Sequence, residues 1–250
     1  MNLSLKGRTA LVTGAASGIG HAIAVAFREA GAHVLLNALD HQRTVAASKE
    51  IGAESMPGDV TDPDFVARVR ESGIDILVNN AGFQSVAAVE EFAPATFARM
   101  IDVMLVAPFL LSQAVVPGMK ARGWGRILNM GSVHSKIASP YKAGYVAAKH
   151  GLLGLTRTLA LEVAAHGITV NAICPGFADT PLVRNQIPDL AARFGVAEGD
   201  VLSEVVLRNA PMKRLIDPAE IAAYALFLSS DAARSITAQG CTIDGGLSQV

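Results

Sequence analysis

The sequence predicts an α/β fold: a single domain built on a doubly wound parallel sheet with helices on both faces. Short apolar runs alternate with helical periodicity from end to end, the pattern of βαβ units. The first such run leads into a glycine turn that opens a helix. The 250 residues are 51% hydrophobic and only 17% charged, which suits one wide core with few solvated faces.

The elements follow in order. Residues 9–12, 33–36, 74–79, 126–130 and 169–173 are apolar runs of the length of buried parallel strands, and 242–244 offers a last one. Between them 20–30, 62–72, 95–120, 144–165 and 218–228 carry helical periodicity. No repeat, linker or low-complexity tract interrupts the alternation, so residues 1–250 read as one domain. The long segment without a strand, 177–214, follows Pro175-Gly176 and includes a short helical pattern at 188–194. An insertion at the carboxyl ends of strands lies where ligands bind, so 177–214 is expected to act as a substrate lid rather than as surface elaboration.

Composition excludes several functions. A net charge of −1 gives no electrostatic case for nucleic acid or an anionic membrane surface. Cys174 and Cys241 cannot build a disulfide framework, and no Cys/His cluster has metal-ligand spacing, so no metal is expected. No signal peptide is visible, because Leu11-Val12-Thr13-Gly14 already reads as strand and turn. Gly, Pro or charge breaks the apolar stretches before the ~20 residues of a membrane span. These readings predict a cytoplasmic protein.

The turn is Thr13-Gly14-Ala15-Ala16-Ser17-Gly18-Ile19-Gly20. Its glycines let the backbone approach a pyrophosphate, and the helix behind it offers free N–H groups and a positive dipole end. Its place in the first βα unit makes the fold Rossmann-type and the domain dinucleotide-binding. Gly14, Ser17, Gly18 and Ile19 are candidate contacts. So are Asp59 and Val60 for the adenine, and Asn80, Ala81 and Gly82 at the end of the fourth strand. No basic residue stands at the end of the second strand or in the turn to hold a 2′-phosphate, and Asp40 is near enough to grip a ribose. NAD is therefore expected over NADP.

Tyr145 and Lys149, at i and i+4, share one helix face. A tyrosine must shift by roughly three units, about 4 kcal/mol, to act as a base near neutrality, and an adjacent ammonium favours the phenolate. Three tyrosines and seven lysines would give such a pair about 0.08 times by chance, so the pair alone is only suggestive. Ser132 sharpens it: a hydroxyl just beyond the 126–130 strand can bond a substrate oxygen as charge develops there, although a turn cap would also explain a serine at that position.

With Thr13–Gly20, Asn79-Asn80-Ala81-Gly82, Ser132, Tyr145/Lys149 and Pro175-Gly176 in this order, the chain resembles the short-chain dehydrogenase/reductase family over essentially its whole length. The resemblance implies that Tyr145 is the acid/base, that Lys149 lowers its pKa and holds the nicotinamide ribose, and that Ser132 polarises the carbonyl. It adds Tyr145, Lys149, Pro175, Gly176 and Thr180 to the cofactor contacts, with Thr180 on the carboxamide, and it implies a homotetramer.

Within the family the segments 79–84, 132–134, 145–151, 171–176 and 180–186 are similar to members that interconvert (R)-3-hydroxybutyrate and acetoacetate. The resemblance places a small anionic hydroxy or keto acid against Gln84, His134, Lys142 and Gln186, with Ser132 and Tyr145 on its oxygen. A cation, amide donors and an imidazole able to protonate suit a carboxylate. Three departures are visible. Met104 stands where the family usually has an asparagine of the proton relay, which implies a different relay or a slower rate. Phe177 and Leu247 replace pocket-closing tryptophans, leaving room for a longer acid. The 61–73 segment is short, which implies a trimmed helix away from the site. Two alternatives stand beside this reading: an oxidoreductase for another hydroxy acid, alcohol or sugar, and a dinucleotide-binding protein with little catalysis.

Overall fold

A computed structural model describes residues 3–249. Seven strands form its sheet: β1 (Thr9–Val12), β2 (His33–Leu36), β3 (Glu54–Ser55), β4 (Ile76–Asn79), β5 (Gly125–Met130), β6 (Ile168–Pro175) and β7 (Gly240–Ile243). They pair in parallel in the order β3-β2-β1-β4-β5-β6-β7. Val12 lies between Leu36 and Val78, and Met130 beside Ile173, so the strands finish along one edge. The order reverses between β1 and β4, the crevice where ligands bind in such sheets.

The helices are α1 (Gly18–Glu29), α2 (His41–Ile51), α3 (Pro63–Glu71), α4 (Pro94–Ile101), α5 (Ala107–Arg122), α6 (Ala143–Val163), α7 (Pro181–Arg184), α8 (Ile187–Phe194) and α9 (Pro218–Ser229). Alternate strand residues point to opposite faces, which divides the core in two. Val12, Val34, Leu36 and Leu128 pack with Ile23 and Phe27 of α1 and Ile221 and Leu228 of α9. Leu11, Leu35, Leu77 and Ile127 pack on the other face with Phe65 of α3, Leu111 and Met119 of α5, and Ala160 of α6.

The strands at 9–12 and 33–36 and the helix at 218–228 stand essentially where they were predicted. Three elements had no prediction: the four-residue α7, β3 and α2. β3 is only two residues long and has no apolar run. The polar helix α2 buries little, and it is fixed by its ends: Asp40 accepts from the Arg43 N–H at 2.9 Å, and Gly52 closes it with a φ of 65°. The predicted 95–120 helix begins as α4, widens into one π-helical turn at Asp102–Val106 and continues as α5. Its 29 residues, Pro94–Arg122, are long and apolar enough to cross a membrane, contrary to the reading that Pro and Gly break every such stretch. Half of the apolar window is buried inside the fold. The 61–73 connection carries the nine residues of α3, packed beneath the sheet.

Residues 177–214 are not an irregular loop. Beyond α7 and α8 they include a second π-helical turn, Leu202–Val206. Ala191, Val201, Val206, Leu207 and Ala210 form a small separate core, with Phe177, Val183, Leu190 and Leu247 packed against it.

Candidate active site

The site is built along the carboxyl ends of β1, β4, β5 and β6. Gly14 and Gly18 adopt left-handed φ values of 63° and 60°, and a Cβ on Gly14 would meet the Ala81 Cα at 2.8 Å. Glycine is therefore required for backbone from two strands to come this close. Thr13, which the sequence did not single out, clamps the turn. Its Oγ1 accepts from the N–H groups of Asn80 and Ala81 at 2.9 and 3.1 Å and donates to the Val78 carbonyl. The Asn80 Nδ2 donates to the carbonyls of Thr13 and Gly14. That side chain, read from the sequence as a cofactor contact, holds the turn together.

One cavity of about 110 Å³ gathers most of the predicted residues. Ser132, Tyr145 and Lys149 line it with Gln84, His134, Lys142 and Gln186. Ile19, Asn80, Gly82, Pro175, Gly176 and Thr180 form the side toward the glycine turn. Ser17 has no place in that lining; it precedes α1 with extended backbone and no side-chain cap, leaving the first-turn N–H groups uncapped.

Ser132 is a turn cap and a pocket group at once. Its Oγ accepts from the His134 N–H at 3.2 Å, which leaves its proton free to donate. Lys149, one helical turn from Tyr145, reaches back to β5 and donates to the Met130 carbonyl at 2.6 Å. Its Nζ lies 5.5 Å from the centre of the Tyr145 ring, and the His134 ring meets that phenol edge-on at 6.2 Å. Beneath them Asn79 Nδ2 donates to Asn129 Oδ1, and Asn129 Nδ2 to Thr156 Oγ1, at 2.8 and 2.9 Å. This buried chain ties β4 and β5 to α6 and so sets Ser132 opposite Tyr145. Sequence reasoning missed Asn129 and Thr156.

Electrostatics depart from expectation in two ways. Burial raises the Tyr145 phenol above its ordinary value, and the bond with Ser132 pulls it back. The expected lowering by Lys149 is not among the causes of the shift; Cys174 adds to the rise, and burial brings Lys149 itself down to about 8. His134 is held neutral, near 4, by burial and then by the charge of Lys142, so the protonated imidazole considered from the sequence is not its state at neutral pH. Neither of its ring nitrogens nor the Gln84 Oε1 makes a well-formed hydrogen bond, the Ile137 backbone being the one polar group beside the imidazole that favours its charged form. Burial also lowers Lys142, which has no acidic partner among the described residues. A half-buried ammonium beside unpaired polar groups is a receptor for a small anion.

Met104 lies in the π-helical turn of Asp102–Val106 and is 1% exposed. It lines the same cavity, and its Sδ would meet a Cβ on Gly82 at 3.0 Å. Phe177 lines the cavity too, whereas Leu247 packs into the small core of 177–214.

A second cavity, about 430 Å³, continues past Gly82 and is lined by Gly14, Leu39, Asp59, Val60, Ala81 and Arg99. Burial opposes ionisation of Asp59, but bonds from Thr61 and Arg99 hold its carboxyl below the usual range. One oxygen of the Asp40 carboxylate caps α2, and Asp40 is not in the lining of this cavity. Leu39 instead stands at the lip, 71% exposed. Gly82 lines both cavities.

The enoyl-(acyl carrier protein) reductase family profile matches residues 14–248. D-beta-hydroxybutyrate dehydrogenase of Rhizobium meliloti is 46% identical, with 96% of this chain and 98% of that one covered. The enzyme of the same name from Cupriavidus necator is 42% identical, with 97% and 98% covered. A solved structure of an actinorhodin polyketide ketoreductase variant with NADPH superposes with a TM-score of 0.91 at 31% identity, covering 97% of this chain and 98% of that one.

Proposed function

Because the chain belongs to the short-chain dehydrogenase/reductase family, we propose that it is an NAD-dependent oxidoreductase interconverting (R)-3-hydroxybutyrate and acetoacetate. The observation that carries the reading is Lys142: an ammonium with no acidic partner, in one cavity with Gln84, His134, Gln186, Ser132 and Tyr145. A small hydroxy acid has a carboxylate for the first four and a hydroxyl for the last two.

When bound, the nicotinamide supplies the hydride acceptor. Gly14, Gly18, Ile19, Gly176 and Thr180 would hold its dinucleotide, with Asp59 and Val60 on the adenine side. Tyr145 takes the hydroxyl proton as the carbinol carbon gives up hydride, and returns it in reduction. Ser132 donates to the same oxygen, and Lys149 favours the phenolate. Lys142, Gln84, His134 and Gln186 orient the acid. Residues 177–214 serve as the lid over it. A neutral adenosine cavity with Leu39 at its lip supports NAD, while the ketoreductase with NADPH keeps NADP in the test. Val106, Phe109 and Leu161, exposed on the long helices, support a homotetramer.

A second reading, an oxidoreductase of a different hydroxy acid, alcohol or sugar, is favoured by Phe177, which borders further open space beyond the cavity. Following the absorbance of reduced cofactor tests both. NAD and NADP are each offered with (R)-3-hydroxybutyrate, its enantiomer, longer 3-hydroxy acids and neutral alcohols. Turnover of neutral alcohols alone refutes the carboxylate site. Binding of NAD without any turnover refutes the enzyme.

A further inference from the structure

The sheet gives little support to one wall of the second cavity. β3 is two residues long and pairs with β2 only through Glu54 and Ser55, so the chain beyond it is held largely by side chains. Asn37 Nδ2 donates to the carbonyls of Met56 and Gly58 at 3.0 Å each, and Arg68 donates to that of Pro57 at 2.7 Å. Arg99 reaches the next residues of the segment from α4.

The bonds it makes close a ring. Arg99 Nη1 donates to Thr61 Oγ1 at 2.7 Å, and Nη2 pairs with Asp59 Oδ2. Thr61 in turn donates from its N–H and its hydroxyl to Asp59 Oδ1, at 2.9 and 2.7 Å. Both carboxylate oxygens are thereby fixed. A flat guanidinium gripping two points, 38 and 40 residues away, sets direction as well as distance. Asp59, Val60, Arg99 and Val103 all line the cavity, so the ring joins two of its walls.

The ring is a poor source of fold stability. The side chains of Arg99 and Asp59 keep 40% and 31% of their surface exposed, and ion pairs in such surroundings add little to folding. Its effect is to pre-shape the cavity it borders.

We infer that Arg99 is a positioning residue for the cofactor: through Asp59 and Thr61 it ties residues 59–61 to α4 and so sets affinity for the adenosine half of a dinucleotide. The inference rests on the dinucleotide reading given above and on no particular substrate. The cradle at Gly14, which a Cβ would fill, and the uncapped first turn of α1 fit the pyrophosphate of that group.

Fluorescence titration of the full chain with NADH, and with reduced nicotinamide mononucleotide, which lacks the adenosine half, tests this. Arg99→Met keeps the aliphatic stem and removes the grip. A segment that must be ordered at the moment of binding costs about tenfold in affinity, so Kd for NADH should rise by about that factor and Kd for the mononucleotide by less than about twofold. Tm should fall by no more than about 4 °C. Arg99→Lys keeps the charge without the two-point grip, and its Kd for NADH should lie between. Asp59→Ala removes the partner, so adding Arg99→Met to it should raise Kd less than about twofold further. An unchanged Kd for NADH in Arg99→Met overturns the inference. So does an equal rise for both ligands, which marks a general structural role, and so do factors that multiply in the double variant. Should Arg99→Met fail to fold, Arg99→Lys decides by the same comparison of ligands. A wild-type chain that binds neither NADH nor NADPH refutes the dinucleotide site and the inference with it, whereas the other outcomes leave that site standing.

Discussion

Replacing Thr13 with valine isolates one oxygen atom. Thr13 is 1% exposed, and valine preserves its shape while removing the hydroxyl. The N–H groups of Asn80 and Ala81, now at 2.9 and 3.1 Å from Oγ1, lose their acceptor. The Val78 carbonyl keeps the Thr13 N–H at 3.0 Å, so it is not orphaned. Each buried unsatisfied group costs about 1–3 kcal/mol. Both donors are only partly buried, so the lower part of that range applies and the pair should cost about 2–4 kcal/mol. In a chain of this length each kcal/mol moves Tm by about 2–4 °C, giving a fall of about 5–15 °C. The two bonds from Asn80 Nδ2 remain, so the turn is loosened rather than lost. If the binding-competent turn is then populated about one time in ten, the Kd for NADH rises about tenfold. Thermal melts at one fixed protein concentration and fluorescence titration with NADH read both effects. Thr13→Ser restores the oxygen and should stay within about 1 kcal/mol of wild type. A valine variant that melts with the wild type, or a serine variant as damaged as the valine one, refutes the reasoning.

Tyr145→Phe is expected to abolish turnover and leave NADH affinity nearly unchanged by titration; substantial residual activity removes the phenol from the chemistry. Lys142→Met keeps the aliphatic stem and removes the charge, so KM for an acid substrate should rise about 10- to 100-fold, the worth of a charged hydrogen bond, with kcat little changed. His134 titrates near 4 in the fold against an ordinary 6.5. The unfolded chain therefore binds more protons in between, and stability should fall by up to about 3 kcal/mol as pH drops from 6.5 to 4. Denaturant titrations across that window should show the loss in wild type and not in His134→Asn, and an identical slope in both excludes the imidazole as its source. Leu39→Arg should improve NADP over NAD about tenfold in kcat/KM by placing a guanidinium at the adenosine lip; an unmoved ratio means that this lip does not meet the ribose.

The fold was legible because parallel strands buried on both faces are continuous apolar runs, and six of the seven were read within a few residues. β3 escaped because two polar residues make no pattern. α2 escaped because its stripe is weak, although Asp40 and Gly52 were visible as its end signals. The meeting of Ser132, Tyr145 and Lys149 in one cavity was legible, since each follows a strand end or shares a helix face. Thr13, Asn129 and Arg99 were not. Thr13 acts on main chain 65 to 68 residues away, and no periodicity or local spacing reports such a contact. Ionisation states were misjudged for a related reason: the charge beside Tyr145 can be read from spacing, but the depth at which both groups lie cannot.

The small core under α7 and α8 shares none of its buried members with the two that flank the sheet. Phe177 and Val183 pack on this small core and also line the pocket, while Tyr145 and Lys149 sit on α6 and Ser132 just beyond β5, locked to the sheet. Substitutions in 181–206 can then accumulate with little tax on folding, and lineages sharing this scaffold are free to drift in what they accept while retaining how they react.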